Sequence, residues 1–84
     1  MQYVYLLKSI KHNRKYIGCT KDLKVRFDLH NKGLVESTKA FIPFKLVYYE
    51  AFLDKHDAFK REKELKVEFT KKRHLLKRLE NSLK

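Results

Sequence analysis

The chain is 84 residues long, the size of one small domain, and 43% of its residues are hydrophobic, enough for a compact core. Its only cysteine is Cys19, so an intramolecular disulfide is impossible and a cysteine-based zinc site is not expected. Twenty-one Lys and Arg against ten Asp and Glu give a net charge of +11, which favours a polyanionic partner such as DNA, RNA or an acidic membrane surface. The alternative is an AT-rich genome, which enriches Lys without any functional reason.

No segment has the features of a membrane span or a secretion signal. Every apolar run is far shorter than the roughly 18 residues that cross a bilayer. The start, Met1-Gln2-Tyr3, lacks the basic residues and apolar stretch of a signal peptide. We therefore expect a cytoplasmic protein whose partner is nucleic acid rather than a membrane.

Two strands and a helix are predicted first along the chain. Tyr3–Leu7 is rich in aromatic and aliphatic residues, and Lys15–Thr20 is a second short strand. The short polar turn between them predicts an antiparallel hairpin. Asp22 can cap a helix that ends near Asn31, and Gly33 lies where a helix end favours a left-handed residue.

A long polar loop then leads to a third strand and two more helices. The strand is predicted over Phe44–Phe52. The helices are predicted to begin after capping residues Asp54 and Thr70 and to end near Val67 and Ser82. The predicted order is strand, strand, helix, strand, helix, helix, within a single domain over residues 1–84.

The first helix carries two polar residues on the side that should face the core. Leu23, Arg26, Phe27 and His30 follow the spacing i, i+3, i+4, i+7, which puts them on one helical face. Leu23 and Phe27 should pack inward, so Arg26 and His30 are drawn to the same side. A cation held beside a sheet is costly unless it has a partner.

The second helix repeats this pattern with an acidic residue. Ala58, Glu62 and Leu65 follow i, i+4, i+7, so Glu62 interrupts the stripe that should pack on the sheet. One interpretation is a half-buried Arg26–Glu62 ion pair with a structural role; the other is a functional site. Buried ion pairs stabilise a fold little compared with apolar packing, so the spacing leaves both interpretations open.

The hairpin adds tyrosines and a glycine. Tyr3 and Tyr5 share one face of the first strand, and Tyr16 opens the second strand with Gly18 two residues later. A tyrosine on a sheet usually belongs to a core or an interface. A glycine inside a strand weakens it and often marks a position that a ligand or another backbone approaches closely.

The order of these segments resembles that of the GIY-YIG nucleases, in particular their small stand-alone members. Tyr3-Val4-Tyr5, followed after about ten residues by Tyr16-Ile17-Gly18, is similar to the paired motif that names the family. The resemblance extends from Tyr3 to about Lys72. Its other segments are similar to the family's first helix, third strand and acidic-residue helix, at residues 22–31, 45–50 and 58–66.

The resemblance implies an α+β fold, in which a three-stranded antiparallel sheet is flanked by three helices. It implies a metal-dependent endonuclease that cuts nucleic acid, with DNA as the expected substrate and DNA repair or recombination as the setting. One Mg²⁺ or Mn²⁺ ion would be held by one glutamate plus water and phosphate oxygens. The residues that match the family's catalytic tyrosines, arginine, histidine and metal-binding glutamate are Tyr5, Tyr16, Arg26, His30 and Glu62.

The sequence departs from the family pattern in two places. Tyr3 stands where the named motif has Gly. An asparagine that several active members carry after the glutamate has no match, and His74 lies near its place.

The resemblance assigns a candidate residue to each step of phosphodiester hydrolysis: activation of water, binding of the phosphate and binding of the metal. Tyr5 would take a proton from the attacking water, with His30 as the proton acceptor or orienter. Arg26 would fork onto the phosphate oxygens, and Glu62 would ligate the metal. Tyr16 would hydrogen-bond the phosphate or the water. Gly18, the motif's glycine, would let the substrate backbone approach, inside a phosphate-attracting rim formed by Lys8, Lys15, Lys21, Lys24 and Lys39.

Two other functions remain open at this point. The first is a nucleic-acid-binding module that keeps the scaffold with weak or no catalysis and binds with strong salt dependence. The second is a basic domain for a protein partner, in which Arg26 and Glu62 are merely paired. In each case we expect a monomer or a weak dimer.

Overall fold

A computed structural model describes all residues, 1–84, and has the predicted α+β architecture. The order β-β-α-β-α-α is confirmed, with one additional short 3₁₀ helix inside the predicted loop, at Lys39–Phe41. The strands and helices are β1 (Gln2–Ser9), β2 (Lys15–Thr20), α1 (Leu23–Asn31), β3 (Phe44–Phe52), α2 (Lys55–Val67) and α3 (Phe69–Arg78).

The three strands form one antiparallel sheet in the order β2-β1-β3. The central strand is β1, whose residues Val4 to Leu7 are each at most 1% exposed. In the register of the sheet, Tyr5 lies between Gly18 on β2 and Tyr49 on β3. Because side chains alternate along a strand, Tyr5 and Leu7 project from one face of the sheet, and Val4 and Leu6 from the other.

One face of the sheet, here called the α2/α3 face, is covered by α2 and α3. Val4, Leu6 and Ile17 pack there against Leu65 and Leu75 in the larger of the two hydrophobic clusters. All of these side chains are less than 9% exposed. Burial of such side chains stabilises a fold by about 1.5–3 kcal/mol each, so this face holds most of the hydrophobic core.

The opposite face, here called the α1 face, is covered by α1 and by the loop that follows it. Leu23 and Phe27 of α1 pack against a smaller buried cluster of Tyr5, Leu7 and Phe44, as the helical spacing predicts. The end of α1 is fastened to β3, because the Asn31 side chain accepts a hydrogen bond from the Phe44 N–H (2.6 Å) and donates one to the Phe44 carbonyl (3.0 Å).

The predicted helix boundaries are mostly confirmed. Asp22 caps α1 by accepting a hydrogen bond from the Val25 N–H, and Asp54 caps α2 in the same way. Gly33 has φ of +73°, the left-handed conformation expected just past a helix end. No helix combines the length and the apolar character that a membrane span requires.

The prediction for α3 was wrong at both ends. The helix begins at Phe69 rather than after Thr70 and ends at Arg78 rather than near Ser82. Its N-cap is Glu68, which makes no side-chain capping hydrogen bond and is also the last cap of α2. Because α3 follows α2 through one shared residue, its start is set by how the two helices pack, and no local capping signal marks it.

Candidate active site

A half-buried arginine with no acidic partner lies at the centre of the α1 face. Arg26 takes part in none of the ion pairs of the molecule. The hydroxyls of Tyr5 and Tyr16 lie near its guanidinium, and the interaction with the Tyr5 hydroxyl is the main influence that raises the pKa of Arg26. The Arg26–Glu62 ion pair that the sequence left open is therefore absent, and Glu62 pairs with Lys66 instead.

Tyr5 connects this arginine to a buried histidine. Its side chain is 1% exposed, and its hydroxyl lies 2.9 Å from His30 Nε2. Burial raises the pKa of Tyr5 to about 12, against the opposing effect of the Arg26 hydrogen bond. Tyr5 is therefore a neutral phenol at pH 7, able to accept a hydrogen bond from Arg26 while donating its own proton to His30.

His30 is 0% exposed and has a hydrogen-bond partner on each ring nitrogen. Nδ1 lies 2.7 Å from the hydroxyl oxygen of Thr38, which is also 3.5 Å from the Val35 carbonyl. Because a carbonyl can only accept, the Thr38 hydroxyl is oriented to donate there and to accept from His30 Nδ1–H, which leaves Nε2 as the acceptor for Tyr5. Burial, and secondarily the charge of Arg26, lowers the pKa of His30 to about 4.

Thr38 is the residue of this site that sequence reasoning missed. It lies in the loop between α1 and β3, is 2% exposed, and ends the chain of hydrogen bonds Tyr5–His30–Thr38. No spacing rule links a loop residue to a helix face eight positions earlier. The one available signal was that the neutral His30 needed an acceptor from somewhere in the polar loop.

Tyr16 is the more accessible of the two motif tyrosines. Its ring centroid lies 4.9 Å from that of His30 and 6.2 Å from that of Tyr5, and its side chain is only half-buried. Tyr16 shares the α1 face with Tyr5, because it pairs directly with Leu7. The site therefore contains one buried phenol and one that solvent and ligands can reach.

Gly18 makes room for the Tyr5 side chain. A Cβ atom at Gly18 would overlap the Tyr5 hydroxyl and lie 2.9 Å from Tyr16 Cε2. The close approach predicted at this glycine is real, but a side chain from the neighbouring strand makes it. Any larger residue would displace the hydroxyl that holds Arg26 and His30.

Glu62 lies on α2, whose residues Ala58 and Leu65 pack on the opposite face of the sheet. Its side chain is 24% exposed and pairs with Lys66 at 3.2 Å, while the Lys66 ammonium lies 5.9 Å from the centroid of the Tyr16 ring. Apart from burial, the charge of Glu62 is among the influences that raise the pKa of Tyr5. The charge of the carboxylate thus acts on Tyr5, and its side chain is partly shielded from solvent.

The site offers a metal ion a single carboxylate, that of Glu62. No three His, Cys, Asp or Glu side chains are grouped to hold an ion. Zinc sites need three or four such ligands, whereas Mg²⁺ keeps several waters and is held by one or two carboxylates plus substrate phosphate oxygens. Glu62 alone could hold a divalent cation that is bound mainly by water and phosphate oxygens.

Two of the lysines predicted for the phosphate rim lie elsewhere. Lys8 pairs directly with Lys15 across β1 and β2, one residue out of phase with Tyr5 and Tyr16. Strand alternation therefore directs both lysines away from the α1 face. The rim role of Lys8 and Lys15 stays a prediction, and the register places both residues on the opposite face of the sheet from Tyr5 and Tyr16.

The other three predicted lysines lie near the α1 face. Lys21 and Lys24 are exposed at the start of α1, and neither takes part in an ion pair. Lys39 follows Thr38 in the loop but pairs with Glu36 at 3.1 Å. Lys21 and Lys24 thus provide free positive charge near the site, while that of Lys39 is partly neutralised.

Comparison with known proteins places this geometry in a family. The family model of the GIY-YIG catalytic domain matches residues 1–83. The chain belongs to the GIY-YIG family. The family defines a nuclease superfamily whose members are generally dependent on a divalent metal, which agrees with the single carboxylate at the site.

Relatives of known sequence and structure are small proteins of the same family. A UPF0213 protein of Clostridium perfringens is 43% identical over 63 residues, which cover 74% of this chain and 67% of that protein. A UPF0213 protein of Staphylococcus haemolyticus is 41% identical over 66 residues, covering 77% and 79%. The solution NMR structure of a UPF0213 protein from Bacillus halodurans matches 92% of this chain and 84% of that one, with 35% identity and a TM-score of 0.57.

The two halves of the GIY-YIG motif are the paired strands β1 and β2. Tyr5 of the first half lies directly opposite Gly18 of the second. The motif therefore places a tyrosine on one strand and the space for its ring on the next. His74, near the place of the family's asparagine, is exposed on α3, outside this arrangement.

Proposed function

We propose that the chain is a metal-dependent endonuclease that hydrolyses phosphodiester bonds of nucleic acid, with DNA as the substrate. The carrying observation is Arg26, a half-buried cation whose neighbours are two tyrosine hydroxyls and no paired carboxylate. A buried charge without a counter-ion is unfavourable unless an anion arrives. A phosphodiester supplies that anion.

Arg26 would bind the scissile phosphate. Its planar fork can donate to two phosphate oxygens and stabilise the charge that develops on them. The net charge of +11 would bring the polyanion to the domain. Neutralisation of Arg26 by phosphate would also remove one of the influences that lower the pKa of His30, which makes the histidine a better proton acceptor once substrate is bound.

The two tyrosines would have different tasks. Tyr16 is accessible and would hydrogen-bond the attacking water or a phosphate oxygen. Tyr5 is buried, so it would act mainly through others, by holding Arg26 in place and by donating a hydrogen bond to His30. Burial thus supports Tyr16, rather than Tyr5, as the phenol that contacts the nucleophile.

Glu62 would hold the divalent metal together with a phosphate oxygen and water. When bound, such an ion lowers the pKa of a water and relieves charge on the phosphate. To bind it, Glu62 must exchange its present partner Lys66, whose side chain is 46% exposed, so that the ion pair is weak.

One observation favours a second candidate, a nucleic-acid-binding module with weak or no turnover. The Lys66 ammonium already neutralises Glu62 and lies beside the Tyr16 ring. If that pairing persists when nucleic acid binds, the phosphate meets only fixed cations, and the domain binds without cutting.

Cleavage and binding assays on two glutamate variants distinguish these candidates. Glu62→Gln is compared with Glu64→Gln, because both side chains are about equally buried and both are paired with lysine, at 24% and 19% exposure. The endonuclease proposal predicts Mg²⁺- or Mn²⁺-dependent cleavage that falls at least about 100-fold in Glu62→Gln and stays near wild type in Glu64→Gln.

The same assay can contradict the proposal. Labelled duplex, branched and single-stranded substrates are each tested with both metals. Salt-dependent binding without cleavage of any of them would establish the binding module instead.

A further inference from the structure

A second feature of the α1 face is an open groove beside the start of α1. Its volume is about 490 Å³, within the range of about 300–1,000 Å³ typical of small-ligand sites. We call it the tyrosine groove; its lining residues are Tyr3, Leu23, Phe27, Leu46 and Tyr49, with Lys21, Asp22 and Lys24 at the rim. Arg26, His30 and Glu62 are not among them, so the groove adjoins the candidate active site without being part of it.

The walls of the groove are aromatic and partly open to solvent. The rings of Tyr3 and Tyr49 lie 6.0 Å apart at an interplanar angle of 67°. Tyr49 is 52% exposed, which leaves one of the largest side chains of the sheet without a protein partner on its open side. Flat π-surfaces of this kind are what single-stranded nucleic-acid sites offer to bases, since every base can stack on them.

The rim carries positive charge that is free to meet phosphates. Lys21 and Lys24 are exposed and unpaired. The single acidic side chain, Asp22, accepts the Val25 N–H at 3.1 Å as the cap of α1. Aromatic walls beneath a net positive rim match a nucleotide, whose base is apolar and flat and whose backbone is anionic.

The groove is in line with the candidate active site. Tyr3 and Tyr5 project from the same face of β1, two residues apart, which is about 7 Å at the rise of a strand. Tyr49 lies directly opposite Tyr5 on β3. A strand whose phosphate is held by Arg26 would therefore reach the groove within about one nucleotide.

We propose that the tyrosine groove binds one unpaired nucleobase of the strand whose phosphate lies at Arg26, with the adjoining phosphate on Lys21 and Lys24. This inference rests on the proposed function and adds the substrate class to it. In a duplex the faces of the bases are covered by their neighbours, so the groove selects strands with an unstacked base next to the bond that is cut.

The test is binding, measured without metal so that no strand is cut. The probes are a short labelled oligothymidylate and a strand of the same length that lacks bases. Tyr49→Ala is expected to weaken binding of the thymidylate about 5- to 150-fold and to leave the abasic strand within about twofold. Tyr49→Phe, which keeps the ring, should bind both strands like wild type.

Phe59→Ala is the matched control, because Phe59 is another exposed aromatic, at 47%, and lies on α2. It is expected to change neither binding constant. Equal losses on both strands in Tyr49→Ala, no loss on either, or competition by a blunt duplex as strong as by the thymidylate would overturn the inference. Binding is measured apart from cleavage. The binding results can therefore be interpreted even if the protein proves not to be a nuclease.

Discussion

The two faces of the sheet bury different chemistry. On the α2/α3 face, side chains such as Leu6 and Leu65 form the larger apolar cluster of the core. On the α1 face the most buried groups include Tyr5, His30 and Thr38, linked by hydrogen bonds of 2.9 and 2.7 Å. No buried side-chain polar atom in the molecule lacks a partner. One face thus supplies stability, while the other holds polar groups in place at little gain in stability.

The largest expected effect is on the apolar face. Leu65 is 1% exposed, so Leu65→Ala should lower the free energy of unfolding by about 2–5 kcal/mol. Urea denaturation measures this. If the variant fails to fold, Ile17→Val is the milder substitution, with an expected loss of about 0.5–1.5 kcal/mol. Neither should change the cleavage rate per folded molecule, and a rate loss in folded protein would contradict the division between the faces.

The next effect is a dependence of stability on pH that arises from the polar face. The pKa of His30 is about 4 in the folded chain against 6.5 when unfolded. Above pH 6.5 the imidazole is neutral in both states; as pH falls towards 4, only the unfolded state takes up the proton, so stability is lost. Between pH 7 and pH 5 the free energy of unfolding should fall by about 2 kcal/mol.

His30→Gln is the control for this pH dependence. The difference in unfolding free energy between wild type and His30→Gln, measured at both pH values, isolates the contribution of the buried imidazole. The remaining histidines, His12, His56 and His74, are exposed and unchanged in the variant. A difference that does not vary with pH would show that His30 titrates normally in the folded chain.

Thr38→Val tests whether the loop positions the histidine. The substitution keeps the shape and removes the acceptor of His30 Nδ1–H, which should lower the free energy of unfolding by about 1–3 kcal/mol. Cleavage should fall further than the folded fraction does, because the imidazole can then rotate or change tautomer. Thr38→Ser should restore both stability and rate; a rate that stays low in Thr38→Ser while stability recovers would count against a positioning role.

The smallest effect concerns the competition between Lys66 and Mg²⁺ for the Glu62 carboxylate. Lys66→Ala removes the ammonium 3.2 Å from the carboxylate, a pair whose contribution in an exposed helix is about 0.3–0.5 kcal/mol. The Mg²⁺ concentration for half-maximal cleavage should therefore fall about twofold. Lys63→Ala, on the same helix without an ion pair, should leave it unchanged; an increased Mg²⁺ requirement in Lys66→Ala would mean that the lysine assists the site.

Much of the fold was predictable because its signals are local. Asp22 and Asp54 mark helix starts by their own capping hydrogen bonds, and Gly33 marks a helix end by its positive φ. Helical spacing correctly placed Leu23 and Phe27 against the sheet. The α3 start was not predictable in this way, because Glu68 caps it without a side-chain hydrogen bond.

The sequence indicated which residues form the candidate site, but not all the contacts that they make. Spacing identified Arg26 and His30 as anomalous, but it could not show that Arg26 contacts tyrosines rather than Glu62. Thr38 enters through loop folding, which has no periodicity. The role of Gly18 depends on the register between β1 and β2, which fixes what lies opposite it.

Two arginines provide the most direct test of the central claim, that the polar face is catalytic. Arg26 has no carboxylate partner, whereas Arg61, 24% exposed, is paired with Glu50 at 2.9 Å. Arg26→Ala should slow Mg²⁺-dependent cleavage about 10²–10³-fold with little change in stability. Arg61→Ala should lower stability and leave the rate per folded molecule unchanged. Cleavage by Arg26→Ala at the wild-type rate would contradict the account.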